Sequence, residues 1–81
     1  MADLRVTYDK TANAAYVYLT DPQVRNKVSR MYPCDPVAVG GMINLDFDEQ
    51  ERLIGVEVLA ASSKLPEYLL DSSERLDAGD A

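Results

Sequence analysis

The residues best spaced for chemistry in this sequence are carboxylates. Asp46, Asp48, Gln50 and Glu57 occupy the first, third, fifth and twelfth places of a loop that would cup calcium between two helices. Such a loop needs glycine at its sixth place for the sharp turn. Glu51 stands there instead, with strand-like alternation on both sides. The run therefore reads as a solvated hairpin turn, and no metal ligand is assigned. Asp9 and Asp46 would have to meet to act as acid and base, and no spacing brings them together. Cys34, the one thiol, sits between prolines, with no histidine in the chain to activate it. The lack of histidine also removes Ser-His-Asp catalysis and imidazole-ligated zinc. A single cysteine removes an internal disulfide and a thiolate metal cage. No catalytic, cofactor-binding or metal-binding residue follows.

Aromatic and basic residues offer binding instead. Tyr16 and Tyr18 stand one strand-step apart, a spacing that can stack a ligand, although such tyrosines more often pack in a core with their hydroxyls at the surface. Arg25, Lys27 and Arg30 can hold an anion or an acidic partner, but the same charges also serve to keep a sheet edge from pairing with other chains. Tyr8, Asp9, Tyr16, Tyr18, Arg25, Lys27, Arg30 and Tyr32 make up the candidate interaction surface.

The elements that must position these residues follow from hydrophobic periodicity. Leu4–Tyr8 alternates, with Leu4, Val6 and Tyr8 on one side and Arg5 and Thr7 on the other, which predicts a half-buried strand. A polar turn at Asp9–Asn13 leads to a second strand at Ala15–Thr20, apolar on both sides and so expected in the sheet centre. Val24–Met31 alternates weakly and reads as a charged edge strand. The prolines of Tyr32–Pro36 exclude a helix or a central strand there, and Val37–Val39 is expected to be briefly extended before Gly40 and Gly41. Met42–Phe47 and Arg52–Leu59 form a hairpin with Ile43, Leu45, Phe47, Ile54, Val56 and Val58 facing the core, and Gly55 leaves room for a bulge or a close neighbour. Lys64–Leu70 is predicted as a short amphipathic helix with Pro66 in its first turn. Residues 1–70 are thus one domain, and 71–81 an acidic, frayed tail.

Two blocks, Val6–Leu19 with its Tyr-Asp turn and Ala-x-Tyr strand, and Ile43–Asp48 followed by Arg52–Ser62, resemble the small bacterial YuzE-like domains of unknown function. The resemblance implies a compact antiparallel sheet with a short C-terminal helix. It implies no chemistry, and some members look like partners of small toxin-like proteins. The sequence departs from the family at Glu51, where glycine is usual, which predicts a turn of another type. The connection from Asn26 to Gly41 is also longer than usual.

The net charge of −6 is uneven: residues 1–41 carry five Lys or Arg against four Asp or Glu, and residues 42–81 carry three against ten. An acidic chain repels the phosphate backbone, so nucleic acid is not an expected partner, whereas a basic protein is. No stretch reaches the roughly 20 apolar residues that span a bilayer, and the free thiol suits a reducing compartment, so a soluble cytoplasmic domain without membrane partners is expected. A domain of 81 residues with no disulfide has little stability to spare, which favours a homodimer or higher homo-oligomer. The expected fold is α+β: an antiparallel sheet of four or five strands with a short C-terminal helix on one face. The expected function is a non-enzymatic protein-interaction module, with a basic toxin-like partner as one form of it. The alternative is a small-molecule or anion binder using the tyrosines and Arg25–Arg30.

Overall fold

The computed structural model describes residues 4–21 and 27–76. In chain order these form β1 (Arg5–Asp9), β2 (Ala14–Tyr18), β3 (Arg30–Pro33), α1 (Pro36–Val39), β4 (Ile43–Phe47), β5 (Leu53–Leu59), α2 (Ala61–Lys64), α3 (Glu67–Asp71) and β6 (Glu74–Arg75). The strands make one sheet in the order β3-β4-β5-β2-β1-β6. Neighbours are antiparallel except β1 and β6, which run parallel. The architecture is α+β, with a mixed sheet of six strands and short helices.

Register sorts the side chains onto two faces. On one, Tyr8, Ala15, Val58 and Ile43 lie abreast across β1, β2, β5 and β4. Ala61 of α2 and Leu70 of α3 close over this row, and Val56 and Leu65 pack against it. The next row on the same face, Val6, Val17, Val56, Leu45 and Tyr32, extends beyond the helices. The hairpin β4–β5 faces as its alternation predicts, with Ile54 and Val58 buried.

Side-chain hydrogen bonds tie the first hairpin to the helices. In the β1–β2 turn Asp9 accepts from the Ala12 N–H, and Asn13 takes a left-handed φ of 55° that asparagine tolerates. Asn13 Oδ1 accepts from the Ser62 N–H at 2.9 Å, its Nδ2 donates to Ser62 Oγ at 3.0 Å, and its carbonyl accepts from the Ala61 N–H. These bonds anchor the start of α2, where Ala60 is itself left-handed and its side chain offers no cap.

Several expectations are corrected. The edge strand begins at Arg30 and takes in Tyr32 and Pro33, while Lys27–Ser29 precede it and Val24–Asn26 lie outside the described residues. The Cys34 N–H bonds to the Ile43 carbonyl, so the proline-rich segment belongs to the sheet edge. Val37–Val39 are helical, because Asp35 accepts from the Val37 N–H, Pro36 occupies the first helical position and Gly40 ends the turn at φ 68°. The single C-terminal helix is two: Pro66 holds Leu65 extended and breaks α2 from α3. Of the segment read as a tail, residues 77–81 lie outside the described residues, and residues 71–76 carry secondary structure. Asp71 closes α3, and Glu74–Arg75 pair with Thr7–Tyr8 of β1. The turn at Glu51 keeps the left-handed conformation that glycine would give, at φ 64°.

Candidate binding face of the sheet

No helix among the described residues covers the second face of the sheet. Two rows cross it. Arg5, Tyr18, Gly55, Asp46 and Met31 form one, and Glu74, Thr7, Tyr16, Glu57, Asn44 and Pro33 the other. Alternation in β2 puts both tyrosines here, with ring centroids 4.6 Å apart and planes inclined at 52°. Tyr16 crosses over β5 and donates its hydroxyl to Asp46 of β4. Gly55 makes that crossing possible, since a Cβ there would collide with the Tyr16 phenol. Asp46 is consequently 9% exposed on a face that has no helical cover. Beside it the Asn44 side-chain amide donates to Glu57 at 2.9 Å.

The electrostatics are one-sided. Burial first, and then the bond to Asp46, holds the Tyr16 phenol well above its ordinary range, so it stays protonated and is a poor acid or base at neutral pH. Arg5 stacks on Tyr18 at 4.7 Å and pairs with Glu74 at 3.1 Å, and that partnership lowers the carboxyl of Glu74. No ion pair among the described residues holds Asp46 or Glu57. Among the described residues the face therefore presents aromatic rings next to two carboxylates bonded by neutral side-chain donors.

The candidate residues do not form one surface. Tyr8 is buried under the helices with its hydroxyl donated to Asn13, and Asp9 is spent on its turn. Tyr16 and Tyr18 share the open face. Tyr32 and Arg30 lie on β3, on the helix side, where Arg30 stacks over Phe47 and bonds Glu51 at 2.6 Å. Lys27 is exposed ahead of β3, and Arg25 lies outside the described residues. Asp48 closes the β4–β5 turn by accepting from the backbone N–H groups of Gln50 and Arg52 and from Arg52 Nε. The calcium-like spacing thus divides between a turn and two strands.

Sequence reasoning foresaw a close neighbour at Gly55 but missed that it is Tyr16, along with Asn44 and the meeting of Tyr16 with Asp46. The signal was a glycine inside a strand that is otherwise rich in large side chains, flanked by strands carrying tyrosine and aspartate. A cleft that does combine tyrosine with carboxylates, between Tyr8, Ser62, Glu67 and Asp71, holds about 200 Å3, less than the roughly 300 Å3 at which ligand pockets begin. No helix among the described residues is long and apolar enough to cross a membrane.

Sheet and helices define a small α+β domain with helices on one face and, among the described residues, none on the other, acidic-aromatic face. Residues 5–62 match the family described as "Protein of unknown function (DUF2283)", and the chain belongs to that family. The match takes in both blocks that carry the resemblance to YuzE-like domains. No curated protein and no solved structure matches the chain.

Proposed function

We propose that the domain is a non-enzymatic interaction module that associates with a second copy of itself through the uncovered part of the helix-side face. The observation that carries this reading is the row Val6–Val17–Val56–Leu45–Tyr32, which continues past α2 and α3. Tyr32, 54% exposed, stands at its open end, while Val6 at the other end is buried. Apolar surface that continues a core is what one copy can bury against another, and a two-fold dimer repeats the same patch on both subunits. The edge strand does not offer a simpler route. With Cys34 bonded to β4, alternation turns the backbone of Met31 and Pro33 outward, and proline has no N–H to give a further strand.

The anion-binding alternative loses support from the open face, because an anion stacked on Tyr16 would meet Asp46 and Glu57. Sedimentation equilibrium at micromolar concentration in moderate salt tests the reading. The expected mass is twice that of the 9.0 kDa chain, falling to one chain in Tyr32→Glu. A single-chain mass for the parent across the whole range would overturn it.

A further inference from the structure

We propose that the open face of the sheet receives an arginine side chain from a basic segment of a partner protein, seated on Tyr16 between Asp46 and Glu57. This rests on the interaction-module reading in general but not on the self-association patch, which lies on the opposite face.

Three observations converge. Asp46 is nine-tenths buried, yet its bond comes from the neutral Tyr16 phenol, and the Glu57 bond comes from the neutral Asn44 amide. Removing a carboxylate from water without a cation nearby is costly, and an incoming cation recovers that cost. Secondly, the chain sets guanidinium groups on its own rings at Tyr18, Phe47 and Tyr8, using Arg5, Arg30 and Arg75. Tyr16, the ring beside the two carboxylates, has no such cation among the described residues. Thirdly, residues 43–59, which make β4, its turn and β5, carry five carboxylates against one arginine, a charge that favours the approach of positive segments.

Arginine fits better than a metal ion or lysine. Its planar guanidinium stacks on an aromatic face while donating in the ring plane to carboxylates on either side. A metal would need more oxygen ligands than Asp46 and Glu57 supply, with one Asp46 oxygen already committed to Tyr16. Gly55 sets the depth of the seat, because it lets the Tyr16 ring lie low over β5.

The test is titration of the full chain with a short arginine-rich peptide, followed by backbone amide shifts in NMR. A lysine-rich peptide and a citrulline-substituted peptide serve as comparisons. Saturable shifts centred on Tyr16, Asp46, Gly55 and Glu57 are expected, with lysine weaker and neutral citrulline silent. Glu57→Gln and Asp46→Asn should each weaken binding about tenfold or more. Glu67→Gln, at the exposed start of α3, should leave it within about twofold. Equal losses at Glu57 and Glu67, or shifts that do not saturate, would mean diffuse charge attraction and overturn the site. Should Asp46→Asn fail to fold, Glu57→Gln, at a half-buried position, still decides. Sedimentation of Glu57→Gln separates the two proposals. Dimer mass with lost peptide binding supports both, and a monomeric parent that still binds the peptide removes only the self-association.

Discussion

A single hydrogen bond, from Tyr16 to Asp46, organises the open face, and a missing side chain allows it. The phenol reaches β4 only because Gly55 puts no Cβ in its path across β5. In Gly55→Ala the new methyl meets the end of a movable ring, so the ring swings aside and the bond is lost. The cost is then that of leaving a buried carboxylate short of a donor, about 1–3 kcal/mol. Tyr16→Phe removes the same donor and should cost a similar amount. The two changes act on one bond, so the double variant should be little worse than either alone, a coupling that a double-mutant cycle in urea measures. Additive losses would show that Gly55 serves something other than this crossing. The alternation that puts Tyr16 and Asp46 on one face was legible in the sequence, as was the need for space at Gly55. Their meeting was not, because it spans an intervening strand and depends on the β4–β5 register shift near Asp46.

Turns show the same division between what residue types disclose and what context decides. The helix α1 carries the Asp-Pro start and glycine end of a capped turn, Asp35-Pro36 and Gly40, and was legible by that chemistry but hidden among prolines that read as irregular. At the β4–β5 turn the absence of glycine suggests another geometry, yet Glu51 adopts the left-handed conformation and pairs with Arg30. That conformation costs a non-glycine residue about 1–2 kcal/mol. The exposed ion pair returns at most about 1 kcal/mol. Glu51→Gly should therefore stabilise the domain slightly, by about 0.5–1 kcal/mol in chemical denaturation, and a loss would mean that the Arg30 contact outweighs the strain. The same turn gives a pH signature. Backbone donation from Arg52 and Gln50, with the Arg52 side chain, holds the Asp48 carboxyl below its usual range. A depressed carboxyl lends stability that is complete above the unfolded value, about pH 4, and is lost as the pH falls through the lower folded value. Asp48→Asn keeps an acceptor for the backbone but cannot titrate. Its urea midpoint should decline less steeply than the parent's from pH 4 downward, and identical slopes would assign the acid sensitivity elsewhere.

At the scale of the whole molecule, stability and assembly should be one quantity. Among the described residues, two short helices cover one row of one face, and six short strands with a two-residue outer strand complete the sheet. A domain with so little cover is marginal by itself, and whatever binds only its folded form stabilises it by mass action. When that binder is a second copy, the melting temperature must rise with protein concentration. Unfolding entropy of about 2.1 cal/mol/K per residue gives roughly 0.17 kcal/mol/K for each chain, so a tenfold increase in concentration should raise the melting temperature by about 4 °C for a dimer that unfolds as it dissociates. Tyr32→Glu, which puts a charge at the exposed end of the apolar row, should melt lower and at a temperature independent of concentration. Glu57→Gln, on the other face, should keep the parent's dependence. Calorimetric scans of the three chains over a hundredfold range of concentration make the comparison. A parent whose transition stays fixed over that range is a monomer, and its uncovered row is then ordinary exposed surface.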